Sequence, residues 1–304
     1  MAREECCRAG AGRDGNGASR RMALERTPRE GRARSLYRCT ARERRAQMRA
    51  NKTDRNDAAG LAQIVRTGWF KQVRIKTRSS YEIRSLLAAR EVLVRIRVQL
   101  ENEIRGLLRT FGVLFGKAAG GFARRAREIV AGELDASPSM RLVVESLMQA
   151  RLAILDRIKV LDRQVLTTAR TEATARLFMS APGVGAITAL SVASAFDDAA
   201  RFKRSSSAGA YLGLTPRRYE SGEVSRNGRI SKHGNKLTRK HLYEAATTLL
   251  TRTTRFSRLK AWGLRLAKAC GFKKARVAVA RKLAVILHAM WKTKTTFRWS
   301  EAAA

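Results

Sequence analysis

The chain has 304 residues, with 63 Lys and Arg against 25 Asp and Glu, which gives a formal net charge of +38. Such an excess of positive charge indicates a nucleic-acid partner, because the chain would repel itself without a polyanion. A membrane-surface role is disfavoured because the basic residues are spread over the whole length. The sequence also has no run of about twenty apolar residues that could span a bilayer. The four cysteines lack the spacing of a zinc site or a disulfide framework.

The first 50 residues differ in composition from the rest. They contain many arginines but no Lys, Val, Ile or Phe, and their leucines, Leu24 and Leu36, predict neither a sheet nor an amphipathic helix. Two explanations stay open. In the first, the segment is a disordered basic arm that binds nucleic acid. In the second, it is the product of GC-rich DNA translated out of frame, and the true reading frame resumes between Ala46 and Asn51. The sharpness of the break favours the second.

Two carboxylates follow in the sequence KTDRNDAAGL. Asp54 and Asp57 are three residues apart, so in a helix they share one face. Paired carboxylates of this kind can hold Mg²⁺ for phosphodiester chemistry. Alternatively, Asp54 is an N-cap and Asp57 the third residue of a near capping box for a helix over 58–66, and spacing alone favours this cap. A short strand is predicted over Gln72 to Lys76.

The region from Tyr81 to Ala175 predicts a long antiparallel helical hairpin. Apolar residues recur there at steps of three and four, in a heptad-like pattern that is typical of a coiled coil able to dimerise. The first stripe is Leu86, Ala89, Leu93, Ile96, Leu100, Ile104, Leu107 and Phe111. After a break at 112–121, the second is Val143, Leu147, Ala150, Ile154, Ile158, Leu161 and Val165.

A Pro-Gly-Val-Gly turn at residues 182–185 precedes a predicted helix of small residues from Ala186 to Ala195. A glycine turn that opens a helix exposes free backbone N–H groups, as in an anion site. Gly183 and Gly185 are therefore candidate phosphate contacts in a helix-hairpin-helix-like element, which grips DNA without reading its sequence. The alternative is an ordinary tight turn.

In the segment AYLGLTPRRYESGE, residues 210–223, Tyr211 and Leu212 are predicted to be buried. A loop is then predicted to bring Arg217, Arg218, Ser221 and Gly222 close together. A hydroxyl beside guanidinium groups can attack a phosphodiester if its proton is removed and the transition-state charge is held. Ser205, Ser206 and Ser207 are rival nucleophiles. The alternative is a Ser-Gly turn with solvated arginines, which spacing alone favours.

More basic residues surround a polar turn and the helix predicted from Leu237 to Leu250. Cations at the start of a helix oppose its dipole, so a ligand such as phosphate explains them better than the helix does. The candidates are Arg226, Arg229, Lys232, Lys236, Arg239 and Lys240. His233 or His241 could act as a general base, whereas His288 lies on an apolar face and is predicted to be a core residue. Two more basic helices are predicted over 262–270 and 276–292.

The blocks PGVGAITA, DDAARF, AYLGLTPRRYESGE and GRISKHGNKLTRKHLYEAA fall in order over about seventy residues. Together they resemble the C-terminal domain of the insertion-sequence one-ten family of transposases, in its eleven-eleven branch. The resemblance continues through the helical hairpin to KTDRNDA, which is similar to the block that carries the family's third and fourth acidic catalytic residues.

The resemblance implies an Asp-Glu-Asp-Asp type transposase that cleaves and exchanges DNA strands. Asp54 and Asp57 would bind Mg²⁺, and Ser221 matches the family's nucleophilic serine. The first Asp and the Glu of the family have no match in residues 1–50, so the N-terminal catalytic domain is expected to be truncated or frameshifted. The family also implies a guide RNA transcribed from the element's own non-coding end, which pairs with DNA at the element ends and the target.

The sequence therefore predicts a mainly α protein. Its parts are the anomalous segment 1–50, the remnant of a ribonuclease-H-like α/β domain at 51–80, the hairpin at 81–175 and a helical C-terminal domain at 176–304. We expect a homo-oligomer, a dimer or tetramer, that acts on DNA at the nucleoid of a bacterial cytoplasm. The alternatives are an inactive transposase that only binds nucleic acid and a purely structural nucleic-acid-binding protein. Dependence of activity on a metal ion separates the enzyme from both.

Overall fold

Helices form most of the chain, as the composition and periodicity predict. The structure is a computed structural model that describes residues 36–38, 54–68, 71–115, 121–133 and 137–299. The expectations for residues 1–35 and 39–50 lie outside the described residues. Contacts divide the chain into two units, residues 1–76 and 77–304, and each is described by itself. None of the described helices is long and apolar enough to cross a membrane.

The described part of the first unit contains one helix and two short strands. Helix α1 spans Asp54–Thr67. Strands β1, Leu36–Arg38, and β2, Lys71–Val73, pair antiparallel with Leu36 opposite Val73. The expectation that Leu36 contributes to no sheet is therefore wrong. A strand of three residues gives too few positions for an apolar pattern to show in the sequence.

Two long helices dominate the second unit. Helix α2 spans Arg78–Arg109, α3 spans Gly121–Val130 and α4 spans Pro138–Thr171. The side chain of Thr77 caps α2 by accepting from the Ser80 amide, and that of Ser137 caps α4 by accepting from the Met140 amide. The two long predicted helices are confirmed, while α3 forms within the stretch that joins them.

Helices α2 and α4 run antiparallel in a constant register. Arg90 pairs with Asp162 and Glu101 pairs with Arg151, and in both pairs the residue numbers sum to 252. The same register places four further pairs of buried residues opposite one another in two shared cores: Ile83 with Ala169, Leu87 with Val165, Ile104 with Met148, and Leu108 with Val144.

The predicted α2 stripe is largely displaced from this buried face. Ile104 is buried as predicted, but Ile96 and Phe111 are 37% and 59% exposed. The inner face repeats at 83, 87, 90, 94, 97, 101, 104 and 108, and three of these positions hold Arg90, Arg97 and Glu101. A pattern of apolar residues alone does not reveal this interface between α2 and α4, because its middle layers are ion pairs.

A separate small core closes the far end of the hairpin. Phe122, Ala126 and Ile129 of α3 are buried against apolar residues of both long helices. The guanidinium of Arg105 lies 4.7 Å from the Phe122 ring centroid, and that of Arg151 lies 5.2 Å from it. The end of the hairpin at α3 therefore has a hydrophobic core of its own.

The C-terminal region wraps around a central helix. Helix α6, Ala186–Phe196, is buried at every position from Thr188 onward, which is typical of a helix enclosed on all sides. Its small side chains let four helices approach: α2, α4, α5 (Ala173–Met179) and α8 (Lys236–Thr251). Its buried hydroxyls are satisfied, since the Ser191 hydroxyl donates to the Thr238 hydroxyl at 3.1 Å.

The remaining elements complete this region. A short 3₁₀ turn, Ala199–Arg201, and helix α7, Ser207–Tyr211, follow α6. Strands β3, Pro216–Ser221, and β4, Val224–Ile230, replace the loop predicted to carry Arg217, Arg218 and Ser221. Helices α9, Arg258–Cys270, and α10, Phe272–Thr293, follow α8, and they confirm the two predicted basic helices.

Candidate nucleic-acid interface

Strands β3 and β4 form a two-stranded antiparallel ribbon, residues 216–230, that is called the ribbon below. Tyr219 lies opposite Arg226, and Ser221 lies opposite Val224. Gly222 and Glu223 connect the strands, and Gly222 has a φ of 55°. A two-residue connection with glycine first and a positive φ matches the right-handed twist of a hairpin.

The ribbon is exposed along its length. Every residue of β3 and most of β4 are exposed. Five residue steps separate Pro216 from Ser221, which corresponds to about 17 Å of extended strand. The Ser221 hydroxyl therefore belongs to an exposed tip rather than to a buried pocket.

The base of the ribbon is held by close backbone packing. The Lys232 amide donates to the Gly213 carbonyl at 3.0 Å, and the Ser231 amide donates to the Thr215 carbonyl at 2.9 Å. A Cβ atom at Gly213 would lie 2.3 Å from the backbone N and O of His233, and one at Gly234 would lie 2.3 Å from the Tyr211 carbonyl oxygen. Only glycine fits at these two positions.

Arg239 secures the same junction from α8. Its Nη1 donates to the Leu212 carbonyl at 3.1 Å and to the His233 carbonyl at 2.5 Å. Burial lowers the pKa of the Arg239 guanidinium. This predicted DNA contact therefore has a clear structural task, which is to join the two chain segments that support the ribbon.

The exposed charge of the ribbon is mainly positive. Arg217, Arg218, Arg226 and Arg229 are all exposed, as are Lys232 and Lys236 just beyond it. Within the ribbon, the Arg218 guanidinium donates to Glu220 at 3.3 Å, and that of Arg217 donates to the Ser231 carbonyl at 3.3 Å. Both are single bonds that leave further N–H groups of each guanidinium for a phosphate.

Lys240 lies elsewhere on α8. Its ammonium donates to Glu91 of α2 at 2.7 Å and lies 3.8 Å from Glu244. It borders a cavity of about 340 Å³ between the hairpin, α6 and α8. The contact with Glu91 makes Lys240 a link between α8 and the hairpin.

His241 lines the same cavity and is 4% exposed. Burial, partly opposed by the charge of Glu91 and reinforced by those of Lys240 and Arg90, lowers its pKa to about 4. No ribbon residue lines this cavity among the residues the structure describes. The hypothesis that His241 is a base for Ser221 is therefore not supported, whereas His233 is exposed on the turn.

His288 is a core residue, as predicted. It is buried within a cluster of Phe196, Phe202 and Tyr211, and its Nε2 lies 3.0 Å from the Ala199 carbonyl oxygen. Its Nδ1 lies 3.0 Å from the Ser205 hydroxyl. Burial lowers its pKa. This pairing assigns Ser205, a rival nucleophile, to the support of the core.

The two turn glycines differ in their surroundings. Gly183 has a φ of 76° and packs so closely on α8 that a Cβ would lie 2.4 Å from the Ala245 carbonyl oxygen. Gly185 is exposed and precedes α6, whose first turn has no side-chain cap. Packing accounts for Gly183, and only Gly185 lies where the free amides begin.

The acidic pair lies in the first unit. Asp54 and Asp57 fall in the first turn of α1, whose backbone begins at Asp54. Their spacing in a helix suits two oxygen donors to one hard cation. Across the ranges for which side chains are described, no group of three or more His, Cys, Asp or Glu could hold a metal ion.

Comparison with known proteins decides the family. A model described as "Transposase IS116/IS110/IS902 family" matches residues 175–261, and a transposase model of the DEDD type of IS110 matches residues 36–112. The transposase for insertion sequence element IS1111A of Coxiella burnetii is 33% identical over 253 residues, which is 83% of this chain and 70% of the relative.

The chain belongs to the IS110/IS116/IS902 family of transposases. The transposase for insertion sequence element IS1328 of Yersinia enterocolitica is also similar, at 27% identity over 205 residues, 67% of this chain and 61% of that protein. The two family models include both candidate chemical groups of this transposase, since Asp54 and Asp57 fall in the first match and Ser221 in the second. The first match begins at residue 36, within the segment 1–50 that composition sets apart.

Proposed function

We propose that this transposase cleaves and rejoins DNA with Ser221 as its nucleophile. The observation that supports this most directly is the position of Ser221 at the exposed tip of an arginine-rich ribbon, inside the region matched by the family model. A phosphodiester is a bulky polyanion, and an exposed tip flanked by guanidinium groups can approach it without an enclosing pocket.

The proposed step conserves the number of phosphodiester bonds. The Ser221 Oγ attacks the phosphorus and loses its proton, an Oγ–P bond forms, and the P–O bond to the leaving DNA strand breaks as that oxygen takes up a proton. A hydroxyl of the second DNA strand then attacks the same phosphorus and loses its proton, a new P–O bond forms, and the Oγ–P bond breaks as the Ser221 oxygen takes up a proton. Guanidinium groups of the ribbon stabilise the charge on the phosphoryl oxygens.

We propose that the acidic pair Asp54 and Asp57 holds Mg²⁺. Two carboxylates in one helical turn fit part of the oxygen donor set of this ion, which takes one or two carboxylates and otherwise water or substrate oxygens. When bound, such an ion supplies Lewis-acid stabilisation of phosphoryl oxygens. The remnant of a ribonuclease-H-like domain at 51–80 would present this pair.

We propose that DNA also contacts residues outside the ribbon. The uncapped amides that begin α6 after Gly185, in a helix-hairpin-helix-like arrangement with α5, suit a phosphate. The exposed Lys232 and Lys236 extend the basic surface. Arg239 and Lys240 contribute through the structure of the ribbon base and of α8, since both already hold partners.

The family resemblance adds a guide RNA and self-association to the proposal. The net charge of +38 suits two polyanions, the DNA and the RNA. The hairpin leaves apolar side chains exposed on both long helices, among them Val92, Ile96, Leu152 and Val160. These suit a coiled-coil contact between copies of the chain at the nucleoid.

A covalent-capture experiment tests the proposal. The transposase is incubated with its element's DNA ends, the flanking RNA and Mg²⁺, and denaturing gels reveal any protein–DNA adduct. Ser221→Ala and Asp57→Asn should abolish the adduct, whereas Ser225→Ala, an exposed serine on the same ribbon, should retain it. Salt-sensitive binding without an adduct would favour the alternative, a transposase that only binds nucleic acid.

A further inference from the structure

The ribbon has two different faces. Side chains alternate along a strand, and directly opposed residues share a face. Tyr219 and Ser221 of β3 therefore share one face with their partners Arg226 and Val224. The opposite face carries a polar set of Arg218, Glu220, Ser225 and Asn227, in which Glu220 accepts from both Arg218 and Ser225 at 3.3 Å.

Tyr219 is the only aromatic residue of the ribbon and is 49% exposed. Its ring covers Gly228 of β4, since a Cβ there would lie 2.6 Å from Tyr219 Cε2. The guanidinium of Arg226 lies over the ring, with its Cζ 5.9 Å from the ring centroid. The contacts with Gly228 and Arg226 stabilise the ribbon and still leave about half of the Tyr219 side chain exposed. This exposed part lies on the face of the ribbon that also carries Ser221.

We propose that the exposed part of the Tyr219 ring stacks on an unpaired base of the DNA strand that Ser221 attacks, so that Tyr219 positions the scissile phosphate. This inference rests on the proposed nucleophilic role of Ser221. Stacking on an aromatic side chain tolerates any base, because every base has a π-face. The guanidinium of Arg226 on the same face adds a charge for the adjoining phosphate.

The proposed stacking requires an unpaired base, because one face of the base must leave its neighbour to contact the tyrosine ring. Residues 219 and 221 are about 7 Å apart along the strand, so they can contact a base and a nearby phosphate of one DNA strand. The DNA strand is therefore locally unstacked at this position. The stacking platform replaces part of the base stacking that is lost there.

Fluorescence of 2-aminopurine tests the platform without any chemistry. Element-end DNA carries the probe at successive positions across the junction and is bound at saturation to a Ser221→Ala transposase. An unstacked probe is bright, whereas one stacked on tyrosine is quenched. The probe is already dim when it is stacked in free duplex DNA, so each position is compared between the two bound proteins. We expect one or two adjacent positions to stay dim when Tyr219 is present and to become bright in Tyr219→Ala, which should also weaken binding about tenfold.

Two variants separate stacking from general structure. Tyr219→Phe keeps the ring and its cover over Gly228, and should retain the quenching. Asn227→Ala, on the opposite face, should leave it unchanged at saturation. Equal fluorescence patterns for Tyr219→Ala and the parent, no quenching at any position, or equal loss in Tyr219→Phe would each overturn the proposal.

The outcome is independent of the nucleophile's identity. Quenching that depends on Tyr219, found together with an adduct on a different serine, would leave the platform standing and remove Ser221 from the mechanism. An adduct on Ser221 without any Tyr219-dependent quenching would support Ser221 as the nucleophile and overturn the stacking role of Tyr219. Circular dichroism on each variant confirms that the helical core is unchanged.

Discussion

Asp197 accepts three hydrogen bonds from Thr77, which lies 120 residues earlier in the chain. The Thr77 amide donates to the two carboxylate oxygens of Asp197 at 3.0 and 3.3 Å, and the Thr77 hydroxyl donates to Oδ1 of Asp197 at 2.7 Å. Thr77 caps α2, and Asp197 follows the end of α6 in a left-handed conformation with a φ of 69°. The carboxylate thus satisfies a free amide at the positive end of α2 and fixes the start of the hairpin.

Replacing Asp197 by alanine should lower the free energy of unfolding by about 2 kcal/mol, because charge-assisted hydrogen bonds are lost at a helix terminus. Asp197→Asn should cost about half as much, because its amide oxygen still accepts and asparagine tolerates the left-handed conformation. Urea denaturation followed by circular dichroism measures both. Equal stability of the three proteins would show that the contact with Thr77 contributes nothing.

A glycine at the base of the ribbon and a glycine at its tip should respond differently to replacement by alanine. Gly213→Ala places a Cβ 2.3 Å from the His233 backbone, so the base of the ribbon must shift, and we expect a loss of about 3 kcal/mol. Gly222→Ala meets open space and suffers only the left-handed backbone strain, about 1 kcal/mol. Thermal unfolding of the two variants gives the comparison, and similar losses would contradict the close packing.

Glu101 holds a charged layer inside the hairpin. It accepts from Arg151 at 2.8 Å and lies 3.6 Å from Arg97, with the side chains of Glu101 and Arg151 only 13% and 12% exposed. Glu101→Gln should lower stability by about 3 kcal/mol, since it leaves a shielded Arg151 without a counter-charge. Glu82→Gln removes the exposed pair with Arg78 and should cost at most about 0.5 kcal/mol. A loss for Glu101→Gln as small as that of Glu82→Gln would refute the argument.

Stability should fall as the pH is lowered from about 6.5 to 4. The pKa of His241 is lowered from 6.5 to about 4, so the unfolded chain binds a proton in this window that the folded chain does not. The full effect is about 3 kcal/mol, and it is absent above pH 6.5. His288 adds to it with the same sign, because its pKa is lowered too.

Replacing His241 by leucine should therefore flatten the dependence of the unfolding free energy on pH. His233→Gln, which removes an exposed histidine of the same region, is the matched control. Urea midpoints at pH 7, 6, 5 and 4 supply the measurement. An unchanged slope in His241→Leu would mean that His241 is protonated equally in both states.

Helices could be predicted from the sequence, whereas the ribbon could not. The C-terminal helices carry apolar residues at helical spacing, and their bounds agree with the predictions to within a few residues. The ribbon has both faces exposed, so it lacks the apolar alternation that marks a half-buried strand. Its polar residues and Gly222 therefore indicated a loop. Tyr219, an aromatic residue among charged ones, was the signal that this segment has a surface role.

The tasks of the basic residues depended on distant partners. Arg239 and Lys240 are neighbours in the sequence and looked like equal phosphate contacts. One bonds to the Leu212 carbonyl and the other to Glu91, 149 residues away. A single sequence shows that a residue is charged but not that its charge already has a partner in the fold. The same limit applies to Ser205, whose partner His288 lies 83 residues away.

The site of covalent attachment to DNA is the most direct measurement. Trypsin should release Tyr219 to Arg226 as one peptide and residues 205–217 as another, so mass spectrometry of a captured adduct after nuclease treatment separates the rival serines. The account predicts a nucleotide mass on the peptide 219–226, located on Ser221 by fragmentation. A nucleotide on Ser225 or within residues 205–217 would contradict the proposal that the ribbon tip carries out the reaction.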